Sequence, residues 1–89
     1  MRVNTQDYKY AFWTAPTQNW RGGMNQAMNI IEGHITEKGD DYFIVDDKAW
    51  RDAMQILVRL PYNGRHVWKA RADLFRRLDK ATQPKGETP

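Results

Sequence analysis

Hydrophobic and polar positions change rhythm several times along this chain, and each change marks an element. Met24, Ala27, Met28 and Ile31 recur at i, i+3, i+4 and i+7, the spacing of one helix face. The Gly22-Gly23 pair weakens the start of this helix, so it is expected to begin near Gly23 and to stop at Gly33. Two short β-favouring runs follow around Lys38-Gly39-Asp40 and predict a hairpin with strands near 34–37 and 41–45. Its second run, Tyr42-Phe-Ile-Val45, is the strongest strand signal in the chain.

Helical spacing returns with Trp50, Met54, Leu57 and Val58, beside Ala53. Asp46 and Asp47 suit the N-cap and first turn, where unpaired amides and the helix dipole favour carboxylates. Pro61 excludes its predecessor from helical geometry, which predicts a helix over 47–60. A last helix, with Asn63 as its N-cap, carries Val67, Ala70, Leu74 and Leu78 on one side, extended by Trp68 and Phe75.

Upstream, Tyr8–Thr14 is rich in aromatics and partly alternating, with Tyr8, Tyr10 and Phe12 on one side and Ala15-Pro16 after it. This predicts a strand. Residues 1–7 read as a loose N-terminus, 15–19 as a loop, and 82–89 as a disordered tail. The order β-α-β-β-α-α makes a small α+β domain over residues 8–81, a short antiparallel sheet packed by helices. An all-α bundle containing a helix-turn-helix is the alternative, should both β-runs be irregular loops.

Length and composition narrow the chemistry. Eighty-nine residues hold one hydrophobic core and no second. Without cysteine there is no disulfide, thiolate nucleophile or cysteine-held zinc. Serine is absent too, so no serine triad exists, and His34 and His66 lie in separate elements. Glu32, His34, Asp40 and Asp41 match no metal-ligand spacing, and Asp46 and Asp47 already serve a helix start. No apolar window approaches the roughly 18 residues of a membrane span, and residues 1–7 contain no signal-like run. The expectation is a soluble cytoplasmic protein that is not an enzyme, needs no cofactor or metal, and does not enter membranes.

Charge arrangement says more than the net +3. Residues 32–47 carry six carboxylates against Lys38, whereas 59–80 carry seven cations against Asp73 and Asp79. The chain is polarised along its length. At about 100° per residue, Arg65, Lys69, Arg76 and Lys80 fall within about 60° of one another, opposite the apolar stripe. Arg71 lands inside that stripe, so its head group must reach outward.

These features point to a small non-catalytic binding module that meets nucleic acid, DNA or RNA, through this helix. Arg65, Lys69, Arg76 and Lys80 are the first candidates for phosphate contacts, with Arg71, Arg77 and Tyr62 secondary. A helix-turn-helix made of 47–60, the Pro61–Gly64 turn and the last helix would frame such contacts. Trp13, Trp20, Trp50, Trp68, Tyr8, Tyr10 and Tyr62 are candidate platforms for unpaired bases, although Trp50 lies on a periodic face that suits a core.

The alternative is a protein-binding adaptor or inhibitor, of the kind common among phage and plasmid accessory factors. It would dock an oppositely charged protein through the basic pole, or through Glu37, Asp40, Asp41 and Trp20. A third arrangement joins the two poles in a homodimer.

Overall fold

A computed structural model describes residues 1–13, 20–60 and 65–82, with side chains at all of these except 65 and 66. The described elements are β1 (Arg2–Asn4), α1 (Thr5–Trp13), α2 (Arg21–Glu32), β2 (Ile35–Lys38), β3 (Tyr42–Val45), α3 (Asp47–Val58) and α4 (Arg65–Ala81). The class is α+β, with a three-stranded antiparallel sheet ordered β1-β3-β2. The all-α alternative is thereby excluded.

The expected hairpin is present, displaced by about one residue, with a bulge between Ile35 and Glu37. Gly39 sits in its turn because the Tyr42 ring closes over it. A Cβ there would lie 2.1 Å from Tyr42 Cε1. On β3, Phe43 and Val45 point inward and are buried, while Tyr42 and Ile44 lie half-buried on the other face.

The N-terminal expectations are overturned. Residues 1–7 are not loose: Arg2–Asn4 form the strand β1, with Val3 opposite Phe43 and Arg2 opposite Ile44. The predicted strand at Tyr8–Thr14 is instead the helix α1 through Trp13. Aromatic content favoured a strand, but Tyr8, Ala11 and Phe12 also stand at i, i+3 and i+4, and they are the buried residues. Asn4 caps this helix, its Oδ1 accepting the Asp7 N–H at 2.9 Å. The Asn4 amide and the Thr5 N–H both donate to the Asp41 carbonyl, tying the β1–α1 junction to the hairpin.

The helix α2 begins two residues earlier than the glycine pair suggested. Buried Trp20 precedes it, and Gly23 belongs to its first turn. The missing side chain at Gly23 admits Leu60, whose Cδ2 would lie 2.2 Å from an added Cβ. Its C-cap is Gly33, as the sequence suggested. Asp46 occupies the N-cap of α3, which ends at Val58 rather than residue 60. The Asn63 cap and most of the predicted 82–89 tail lie outside the described residues.

The closest helix pairings are α2 with α3 and α1 with α4, and α1 also packs on β1 and β3. One core joins them, including Val3, Tyr8, Phe12, Trp20, Ile31, Phe43, Trp50, Leu57, Leu74 and Leu78. Tyr8 is its junction: its ring centroid lies 4.9 Å from that of Phe12 and 5.1 Å from that of Phe43, edge-on to the latter. The Tyr8 hydroxyl donates to Glu32 Oε2 at 3.2 Å. No helix among the described residues is long and apolar enough to cross a membrane.

Truncating Phe43→Ala removes the ring on which β1 and α1 converge and should destabilise the domain by about 3–5 kcal/mol in denaturant unfolding. That is a large share of the roughly 5–15 kcal/mol typical of a domain. The Tyr8 phenol yields a second expectation. Burial, then the charge of Glu32 and the hydrogen bond to it, hold its pKa far above the ordinary phenol range. A folded-state pKa above the unfolded one gives stability that is complete below about pH 10 and declines as pH rises past it. Tyr8→Phe should therefore flatten the fall of the denaturation midpoint above about pH 10.

Candidate nucleic-acid interface

The helix α4 has three kinds of surface. Val67, Leu74, Leu78 and Ala81 are buried in the core. Lys69, Arg76 and Lys80 are exposed on the opposite side. Lys69 and Arg76 stand about 10 Å apart along the axis, and Lys80 lies about 6 Å beyond. This row is the ridge that the sequence pattern anticipated, and Lys80 in the last turn also suits the helix dipole.

The cations of the ridge are not equivalent. Arg76 pairs with Asp73, one turn back on the same helix, which offsets part of its field. Lys69 and Lys80 are solvated, and ammonium groups on flexible stems reach phosphates as point charges. Asp79, also exposed, lies beside Lys80 in sequence. The ridge is therefore cationic but diluted.

Two arginines occupy the borders between core and ridge, on opposite sides of α4. Arg71, expected to reach outward from the apolar stripe, is half-buried, with its guanidinium 5.2 Å from the Phe75 ring centroid and 5.6 Å from that of Trp68. Arg77 lies over Tyr10 of α1, 4.5 Å from its centroid. Both guanidinium groups satisfy part of their charge on aromatic faces, which makes them fixtures of the helix packing as well as charges near the ridge.

Of the remaining candidates, Tyr62 lies outside the described residues, and so does the side chain of Arg65. Trp20 is 1% exposed and belongs to the core. It is therefore withdrawn from the docking set, because a ring packed on all sides has no face for a partner. Tyr8 and Trp50 are likewise buried, so neither is a stacking platform. Trp13, Tyr10 and Trp68 are exposed.

The helix-turn-helix frame hinges on the Pro61–Gly64 turn. Of its two helices, α3 finds its closest partner in α2, and α4 in α1. The two meet at a shallow crevice lined by Trp50, Met54, Phe75, Leu78, Asp79 and Thr82. The turn itself lies outside the described residues.

The acidic pole gathers at the hairpin. Glu37, Asp40 and Asp41 are exposed, and Glu37 accepts the Tyr42 hydroxyl at 2.7 Å. That bond, then the Glu37 charge, raises the Tyr42 phenol above its usual range. Arg2 lies over the same ring at 4.4 Å. Asp47 holds the Met1 amine at 2.7 Å, which lowers its carboxyl below the usual range. Among the described residues, no three His, Asp or Glu side chains converge as a metal site would require.

Comparison of the chain with protein-family models, with curated proteins and with solved structures found no match. The functional reading rests on the residues and their placement.

Because Lys69 and Lys80 are exposed, reversing both to Glu should cost no more than about 1 kcal/mol per site, the larger share at Lys80, where the helix dipole favours a cation. Thermal unfolding of the double variant beside wild type checks this. It also establishes that any loss of binding reports on charge rather than on folding.

Proposed function

We propose that this chain is a cytoplasmic, non-catalytic module that binds nucleic acid along the outer ridge of α4. One observation carries the reading: Lys69, Arg76 and Lys80 form an exposed row on the side of the helix opposite its buried stripe. Row and core are separate, so the charges can meet phosphates without disturbing the fold. Polyanion backbones reward this arrangement, since each neutralised phosphate releases condensed counterions.

The net charge of +3 favours encounter with a polyanion, which the carboxylates of the acidic hairpin repel. The Asp73–Arg76 pair and Asp79 limit the field. Binding by the ridge is therefore of moderate strength and depends on ionic strength. The contact is to the backbone, with Lys69 and Lys80 as its principal cations and Arg76 as the third.

Fluorescence anisotropy with labelled oligonucleotides over a salt series tests the reading. The logarithm of the binding constant should fall against log salt with a slope of about −2 to −3, the value for roughly three phosphates. Reversing Lys69 and Lys80 to Glu should abolish most of this binding. Absence of binding to every DNA and RNA form at low salt, together with capture of one stoichiometric protein after nuclease treatment, would replace this reading with the adaptor one. Charge reversal at Glu37, Asp40 and Asp41 would then show whether the acidic hairpin is the docking surface.

A further inference from the structure

The exposed face of α1 carries a second row of side chains, and one of its members touches α4. Gln6, Lys9, Tyr10 and Trp13 are all exposed, and their spacing puts them within an arc of about 100°. Tyr10 is 54% exposed and Trp13 is 73% exposed, whereas Tyr8, Phe12, Trp20, Phe43 and Trp50 are buried. Among the described residues the core takes five rings, while these two lie exposed one turn apart on the same helix.

Their position relative to the cations is fixed by Arg77. It belongs to α4, next in sequence to Arg76 of the ridge, and its guanidinium covers one face of Tyr10 at 4.5 Å. The aromatic row on α1 therefore meets the border of the cationic row on α4 at this contact, within the packing of the two helices. Trp68 stands apart: it precedes Arg77 by nine residues, which places it on the opposite flank of α4.

We propose that the ligand of this joint surface is single-stranded nucleic acid, with unpaired bases stacking on Tyr10 and Trp13 while its phosphates follow Lys69, Arg76 and Lys80. This inference rests on the nucleic-acid reading and selects among the forms it allows. A duplex keeps its base faces stacked inside and meets only the diluted ridge. An unpaired strand meets the ridge and also offers each ring a π-face, and such stacking works with any base. Lys9 adds a fourth cation beside the rings. Stacking of this kind accepts any base, so the recognition is of strand form rather than sequence.

The test measures the binding of the full chain to a labelled oligothymidylate of about 12 nucleotides, a length within the span of common single-strand sites, and to a duplex of equal length. Wild type should prefer the single strand by about tenfold or more, and Tyr10→Ala or Trp13→Ala should each weaken that binding by about 5- to 100-fold. Duplex binding should stay unchanged in both variants. Trp13→Phe and Tyr10→Phe, which keep a ring, should retain most single-strand affinity, and unchanged circular dichroism shows that the variants are folded. If neither alanine variant affects the single strand, or the duplex binds as tightly, while the Lys69 and Lys80 reversal still abolishes binding, the stacking inference fails and the ridge reading stands. If neither form binds even at low salt, both fail.

Discussion

Everything in this fold depends on the pairing of Arg2–Asn4 with the central strand Tyr42–Val45. Without it the sheet would be a two-stranded hairpin, which is marginal in water. With it, Val3 faces Phe43 in the core, and Asn4 is placed to cap α1. The helix that leaves this junction must then lay Tyr8 against Phe43. Because α4 finds its closest partner in α1, the direction in which the basic ridge faces is set by three residues of edge strand.

The arrangement also explains why the five described cations of α4 differ in their surroundings. A guanidinium is weakly hydrated and lies readily over an aromatic face, while an ammonium keeps its water. The borders of α4 accordingly hold Arg71 and Arg77 over rings, and two of the exposed positions hold lysines. Arg76 is the intermediate case, exposed yet paired with Asp73. The reach of each cation into solvent is thus decided by what its side chain already touches, more than by formal charge.

The strongly periodic segments were legible from sequence: α2, α3, α4 and the hairpin all follow from apolar spacing and turn chemistry. The N-terminal segment was not, because Tyr8-Lys-Tyr-Ala-Phe-Trp satisfies both a period of two and a period of 3.6. Aromatic β-preference reflects fit to a packed surface rather than a backbone rule, and here the Asn4 cap and the buried set Tyr8, Ala11 and Phe12 decide for helix. The basic ridge was visible in advance, since its charges lie within one helix. Its aromatic neighbour was not. Reading residues 5–13 as a helix would have aligned Lys9, Tyr10 and Trp13, but only the packing of α1 on α4 brings Tyr10 beside Arg77.

Helix α1 and strand β1 lie far in sequence from their partners α4 and β3, and this bears on how the molecule is made. Residues 21–58 form a continuous block whose contacts, α2 on α3 and β2 on β3, close locally. The first strand must wait for Val45 to be synthesised, and the side of α1 that packs on α4 must wait for that helix. Contacts of such sequence separation form late, since loop closure must precede their gain. Until α4 has been made, the aromatic first helix remains uncovered. The surface built jointly by α1 and α4 comes into being only with the last contacts to form, so its presence certifies a finished molecule.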